Sequence, residues 1–279
     1  MRNRSFLVVG ALLSFTMMTS LSHSAAAADV AVGTALRVEK FIPLAELRAH
    51  PEVQIVMPEA VDPLAIYSNV TTFTGQAFAQ GPSTAGITRL VMDDLTFTTD
   101  PAVSAVTTLR FGVANLNATS QSVRARIRFW NADGPSLGPG LANGPGTYYS
   151  PGGTPVGFSF PAFTFGVGVT TLTGTIGAGF VVPAGVTTTL WAGIAFDNVG
   201  TTTGATDTEM ANFGQAMFTP PNLGTSTNTL FETTAAGSFF PTDNPAGAAL
   251  AFGGSPVANQ GWELVVTTLP VELQGFSVE

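Results

Sequence analysis

Between residues 123 and 129 the chain reads "VRARIRF", with Val123, Ala125, Ile127 and Phe129 in register on one side and Arg124, Arg126 and Arg128 on the other. A period of two is the signature of a strand with one face in a core and one face outward. The run "TTTLWAGIAFDN" at 187–198 also alternates, but both of its sets are largely apolar, which predicts a strand covered on both sides or partly at an interface. In "LVMDDLTF" at 90–97 the adjacent Asp93 and Asp94 interrupt an apolar strand, so one carboxylate is directed at the core side. Threonine and valine dominate the segments around these runs, and glycine and proline punctuate them. Strands are predicted at 64–73, 87–98, 105–116, 121–131, 155–165, 171–181, 187–198, 210–218, 228–232 and 261–268.

Many short strands with almost no helical periodicity predict an all-β protein, a single antiparallel β-sandwich of jelly-roll type. The sandwich is expected over 63–268, with a short tail at 269–279. Residues 29–62 have a different texture. They hold the lysine Lys40 and His50, and Pro43, Pro51 and Pro58 cut them into pieces too short for a long helix. This segment reads as a charged N-terminal arm with one helical turn at Leu44–Ala49 and a short strand at 53–57; the alternative is a disordered linker.

The first 28 residues add a location. A basic start (Arg2, Arg4), the apolar run "FLVVGALLSFTMMTSL" and the small-residue stretch "SHSAAAAD" follow the order of a secretory signal peptide, with cleavage expected near Ala28. The apolar run is about 16 residues, short of the roughly 20 that span a bilayer, although a retained anchor is the other reading. Gly, Pro, Thr and Asn interrupt every later apolar stretch, so no transmembrane segment is expected after signal removal. The expectation is a secreted protein, extracellular or held at the cell surface. Export would permit disulfides, yet the chain has no cysteine, which excludes thiol catalysis, disulfide scaffolds and cysteine-ligated zinc.

Charge sharpens the picture further. Of ten Lys and Arg residues two lie in the signal, against eighteen Asp and Glu, and none follows Arg128. So acidic a chain repels phosphate backbones, and nucleic acid is not an expected partner. The three arginines are expected to pair with acids on a neighbouring strand, to form a patch for an anionic ligand, or to meet the acidic surface of another copy.

Candidate chemistry is sparse. Oxygen ligands for calcium are offered by Asp93, Asp94, Asn131, Asp133 and Asp197, although Asx residues at turns look the same; the expected cofactor is none, or calcium. The Gly/Pro-rich segment 134–157 carries Tyr148 and Tyr149, which on a loop could stack on sugar rings, or could cap the edge of the core. Trp130, Trp191 and Trp262 fall in or beside strands and read as core or core rim. With His50 the one histidine beyond the signal, a Ser-His-Asp triad and a multi-histidine metal site are excluded. Paired carboxylates for glycoside hydrolysis remain, with Glu209, Glu232 and Glu263 as candidates.

The segments "AIYSNVTTFTGQAF", "GITRLVMDDLTF" and "RARIRFWNADG" carry a resemblance over roughly 64–200. Tyr67, Asn69, Asp93, Asp94, Asn131, Asp133, Gly134, Pro139 and Gly140 sit in a pattern similar to bacterial secreted β-sandwich proteins often found with PEP-CTERM-type or other exchangeable sorting tails. The end of the chain, "TLPVELQGFSVE", lacks the Pro-Glu-Pro motif, transmembrane stretch and terminal arginines of such a tail. The resemblance implies export and a β-sandwich more than any activity. The expected function is a non-catalytic secreted or cell-surface structural protein, self-associating or not. The contrasting expectation is a carbohydrate-binding module, calcium-dependent or not, whose partner is a cell-surface polysaccharide; a glycoside hydrolase is third.

Overall fold

The computed structural model describes residues 31–49, 55–56, 60–81, 83–98, 105–182, 188–198, 205–234, 242–251 and 259–267. The expected signal at 1–28, His50 and the residues 269–279 lie outside the described residues. In chain order the elements are β1 (Ala31–Pro43), α1 (Leu44–Ala49), β2 (Ile55–Val56), β3 (Ala65–Ser68), β4 (Thr72–Ala79), β5 (Val91–Thr96), β6 (Ala105–Asn115) and β7 (Gln121–Asn131). They continue with β8 (Gly157–Ser159), β9 (Phe163–Phe165), β10 (Gly168–Val181), β11 (Thr189–Asp197), α2 (Asp207–Ala211), β12 (Phe213–Phe218), β13 (Thr229–Thr233), β14 (Gly247–Ala251) and β15 (Trp262–Val266).

Two antiparallel sheets pack face to face as a β-sandwich. The first sheet runs β14-β13-β5-β11-β7-β8, with β9 paired to the start of β7. The second runs β1-β10-β6-β12-β4-β2, and β15 shares the edge of β6 with β12 and carries β3 on its far side. Strand β1 joins the two: Ala31 and Val32 run parallel to Phe158 and Ser159 of β8, and Gly33 through Pro43 then run antiparallel to β10.

The alternation of "VRARIRF" places its apolar set as expected. Ala125, Ile127 and Phe129 are level with Phe196, Ile194 and Ala192 of β11, and all of them enter the inter-sheet core. Leu109, Phe111, Leu172, Trp262 and Leu264 meet them from the second sheet. Phe129 and Phe180 pack with ring centroids 4.8 Å apart and planes tilted by 41°. Each such fully buried large side chain contributes roughly 1.5–3 kcal/mol, the contribution a cysteine-free chain of this size relies on.

Strand β11 is buried on both faces because the segment between β7 and β8 lies back across the outside of the first sheet. Trp130, Trp191, Leu90 and Met92 on that outer face pack with Tyr148 and Phe231, and with Leu137 and Ala142 of the overlying segment. The dual apolar pattern of 187–198 thus reflects a roof made by the same chain.

Several expectations change in detail. The run 64–73 splits into β3 and β4, and 155–165 into β8 and β9, where Pro161 follows the end of β8. The expected strand at 210–218 begins as the helix α2, because Thr206 and Glu209 form a reciprocal capping box: the Thr206 side chain accepts from the Glu209 N–H, and Glu209 accepts from the Thr206 N–H. Residues 31–43, expected as part of an arm, are a full strand of the second sheet, while the turn at Leu44–Ala49 stands as α1 and the short strand shrinks to β2. Strand β14 was not expected at all.

Candidate functional site

The charged and aromatic residues singled out by sequence sort into three places on the first sheet. The arginine ladder comes first. Arg124 and Arg126 both reach Asp197 at the end of β11, which is fully buried; the Arg124 Nε and Nη2 donate to Oδ1 at 2.8 and 2.7 Å, and the Arg126 Nε donates to Oδ2. Arg128 leaves the solvent altogether, at 2 % exposure. Its Nη1 donates to the carbonyl oxygen of Ile127 at 2.9 Å, and burial lowers its affinity for its proton. The side chain lies over Gly157, where an added Cβ would come within 2.8 Å of the Arg128 Cδ, so glycine is required by close approach. The row of Arg124, Arg126 and Arg128 is therefore engaged within its own sheet rather than displayed as a uniform cationic patch.

The second place is the roof. Tyr148 and Tyr149 are each 8 % exposed, and their hydroxyls donate to the carbonyl oxygens of Val156 at 2.8 Å and Val181 at 2.6 Å. Burial pushes both phenols up to about 12. The expectation of stacking rings is corrected here: these rings face protein, with Tyr148 edge-on to Trp130 at 5.2 Å. Trp191 fastens the roof through its indole N–H, which donates to the carbonyl oxygen of Asn143 at 2.8 Å, while that of Trp130 donates to the Thr242 carbonyl oxygen, in the segment before β14, at 2.9 Å. Asp133 is a turn residue, accepting from the N–H and hydroxyl of Thr147 at 2.6 and 2.7 Å. Beside it a surface pocket of about 520 Å³ is lined by Asn131, Ala132, Asp133, Ala142, Asn143, Thr188 and Thr189.

The third place is the Asp93–Asp94 pair on β5. Asp93 is level with Ala192 and so turns toward the core, while Asp94 is level with Trp191 on the roofed face. Both are buried, and both carboxylates lean to the strand edge where residues 226–227 and 259–260 pass. Asp93 accepts from the Gln260 N–H at 2.7 Å and the Asp94 N–H at 2.9 Å; Asp94 accepts from the Thr227 N–H at 3.0 Å and the Thr227 hydroxyl at 2.8 Å. Burial first, then the charge of Asp94, holds Asp93 well above the usual carboxylate range, and burial raises Asp94 to about 6.

These positions correct the expected calcium set. Asp93, Asp94, Asn131, Asp133 and Asp197 do not converge: Asp197 faces Arg124 and Asn131 faces Leu190, at opposite ends of the β7–β11 pairing, and Asp197 is taken by two guanidiniums. Among the described residues no group of three or more His, Cys, Asp or Glu side chains gathers as a metal site. The residues that do gather about Asp93 and Asp94 are Ser226, Thr227, Asn259 and Gln260, each more than 130 positions along the chain and marked by no local motif.

The carboxylates considered for hydrolysis are spread over three elements. Glu209 caps α2, and its hydrogen bonds from Thr206 hold it below its ordinary value. Glu232 on β13 pairs with Arg89 at 3.0 Å. Glu263 on β15 is fully buried against Arg110 and the Ser68 hydroxyl, at 2.5 and 2.6 Å. Each thus has a structural partner of its own.

The fold and this site define the class as an antiparallel β-sandwich with a roofed outer face and a buried acidic pair. The chain matches no protein-family model, no curated protein and no solved structure.

Proposed function

We propose that this is a non-catalytic structural protein of the cell surface or extracellular space, exported by its N-terminal signal-like segment. The observation that carries the reading is the use made of its chemistry. Arg124, Arg126, Trp130, Trp191, Tyr148 and Tyr149 all bind groups of the same chain, and Trp191 and Tyr149 among them fasten a long Gly/Pro-rich segment onto the strands without any disulfide. Self-association would use a strand edge rather than the arginine ladder. Strand β14, "GAALA", ends the first sheet, carries no charge and pairs only with β13 among the described residues, the kind of edge to which another strand adds.

A second reading, a carbohydrate-binding module, is favoured by one feature, the pocket beside Asp133, whose amides and hydroxyls suit sugar hydroxyls. Tyr148 and Tyr149 are not its platform. Residues 29–279 on a polysaccharide and glycan array, with and without calcium, separate the two. The structural reading expects silence, together with recovery of the native protein in the surface or medium fraction of its cells. Reproducible glycan binding that is lost in Asn143→Ala would replace it by the second reading.

A further inference from the structure

The hydroxyl of Ser226 stands at the centre of an unusual arrangement. Four acceptor oxygens surround its Oγ: Asn259 Oδ1 at 2.8 Å, Asp93 Oδ1 at 3.0 Å, the Thr227 carbonyl oxygen at 3.0 Å and Asp94 Oδ1 at 3.3 Å. A serine hydroxyl has one proton to give, so at most one of the four is satisfied by it. Turning the Asn259 amide round would let its NH₂ donate to Ser226, and would still leave three acceptors about one proton. The two carboxylate oxygens also accept main-chain N–H bonds, Asp93 Oδ1 from Asp94 and Asp94 Oδ1 from Thr227, so what the cluster lacks is positive charge.

The charge balance says the same. Asp93 and Asp94 are 0 % and 1 % exposed, and no Arg or Lys pairs with either among the described residues. Two buried carboxylates without a counter-charge are costly, by several kcal/mol per ion. A separate group points the same way. Tyr67, fully buried on β3, has its Oη beside Ser226 and close enough to both carboxylates to be pushed up by them as well as by burial, and no hydrogen bond of ordinary length and angle reaches that oxygen from the described residues.

We propose that Asp93, Asp94, Ser226, Thr227 and Asn259 form a binding site for one calcium ion. The ligands are all oxygens, two carboxylates with an amide, a hydroxyl and a main-chain carbonyl, the set a hard cation takes, and two negative charges call for a divalent one. Separations of 2.8–3.3 Å about Ser226 are those of neighbouring oxygens around a small hard cation, and five protein ligands favour calcium, because magnesium keeps most of its own water. Five protein oxygens leave room for water, and the Tyr67 hydroxyl is placed to hydrogen-bond to one. The N–H groups of Asp94, Thr227 and Gln260 hold the carboxylates in place, as outer partners of metal ligands do. Ser226 and Thr227 are only partly buried, so the ion enters along the 225–228 segment. The site stands independently of the structural or glycan-binding reading, since in either case the ion ties β5 to the segments before β13 and β15.

The test is calorimetric titration of EDTA-treated, dialysed protein with calcium chloride and, separately, magnesium chloride, with thermal melts alongside. The expected result is one calcium per chain, a rise in Tm of roughly 5 °C at saturation, and little response to magnesium. Asp94→Asn should weaken calcium by at least about tenfold, and Ser226→Ala, at a part-exposed position, should weaken it as well. Asp133→Asn, at a turn away from the site, should bind as wild type. No heat and no Tm change with calcium in the wild-type protein would overturn the proposal, as would binding that survives both Asp94→Asn and Ser226→Ala, or a site that takes magnesium and not calcium.

Discussion

Two buried acidic centres lie on the same sheet and are solved in opposite ways. At one end of β11, Asp197 sits between two guanidiniums, an excess of positive charge. Across the other edge of that strand, Asp93 and Asp94 share a pocket with hydroxyls and amides and no cationic side chain among the described residues. Sheet geometry explains the difference. An arginine on β7 faces β11 across one strand spacing, whereas β5 lies two spacings away, about 10 Å, and Asp93 turns toward the core. With no Lys or Arg after Arg128, none of the later strands can supply the missing charge. The first centre is closed by the chain; the second is closed by an ion from outside.

Removing one acid from each centre should break this symmetry most visibly. Asp197→Ala strands two partly covered guanidiniums and should cost about 3 kcal/mol, the low end for a broken buried pair because Arg124 and Arg126 keep some contact with water. Urea denaturation monitored by tryptophan fluorescence reads it. Asp94→Asn should do the reverse in EDTA: one uncompensated buried charge is gone, and stability at pH 7 should hold or rise by about 1 kcal/mol. A large loss in that variant under EDTA would show that hydrogen bonds alone satisfy the pair.

Smaller effects sharpen the contrast between the sheet and its roof. Trp191→Phe keeps the ring but removes the donor to the Asn143 carbonyl, so it should cost about 1 kcal/mol and speed proteolysis within 134–157. Unchanged cleavage there would mean that the roof is held by packing alone. The smallest effect is a pH slope. Burial holds the Glu263 carboxyl above its ordinary value, against the pull of Ser68 and Arg110, so the folded protein keeps this proton more tightly than the unfolded chain. Its contribution is complete below the unfolded value of about 4.3 and is lost as pH rises through the elevated folded one. Glu263→Gln should flatten that part of the stability profile in the pH dependence of the urea midpoint.

The sequence carried the strands best where one face was polar. Strand β7 is legible to the residue, because three arginines against four apolar partners fix both period and face. The opposed directions of Asp93 and Asp94 were readable for the same reason. Strand β1 was obscured by charges that pattern does not explain: Arg37, Glu39 and Lys40 lie on a strand with register shifts beside them, so alternation fails where the backbone bulges. The capping residues of α2, Thr206 and Glu209, were present in the sequence and masked by the apolar run that follows. Tyr148 and Tyr149 looked like loop aromatics because Gly/Pro composition reports backbone, not cover, and their burial depends on a sheet that the segment folds back upon. Least legible was the site itself: Ser226 and Asn259 reach β5 from far along the chain, and no spacing rule joins them to it.

The most direct measurement is a crystal structure grown in calcium, with anomalous diffraction collected at long wavelength. The account predicts an anomalous peak about 2.3–2.6 Å from Asp93 Oδ1 and Asp94 Oδ1, beside the Ser226 hydroxyl. A peak-free site, with the two carboxyls bridged by a proton or a water, would contradict it.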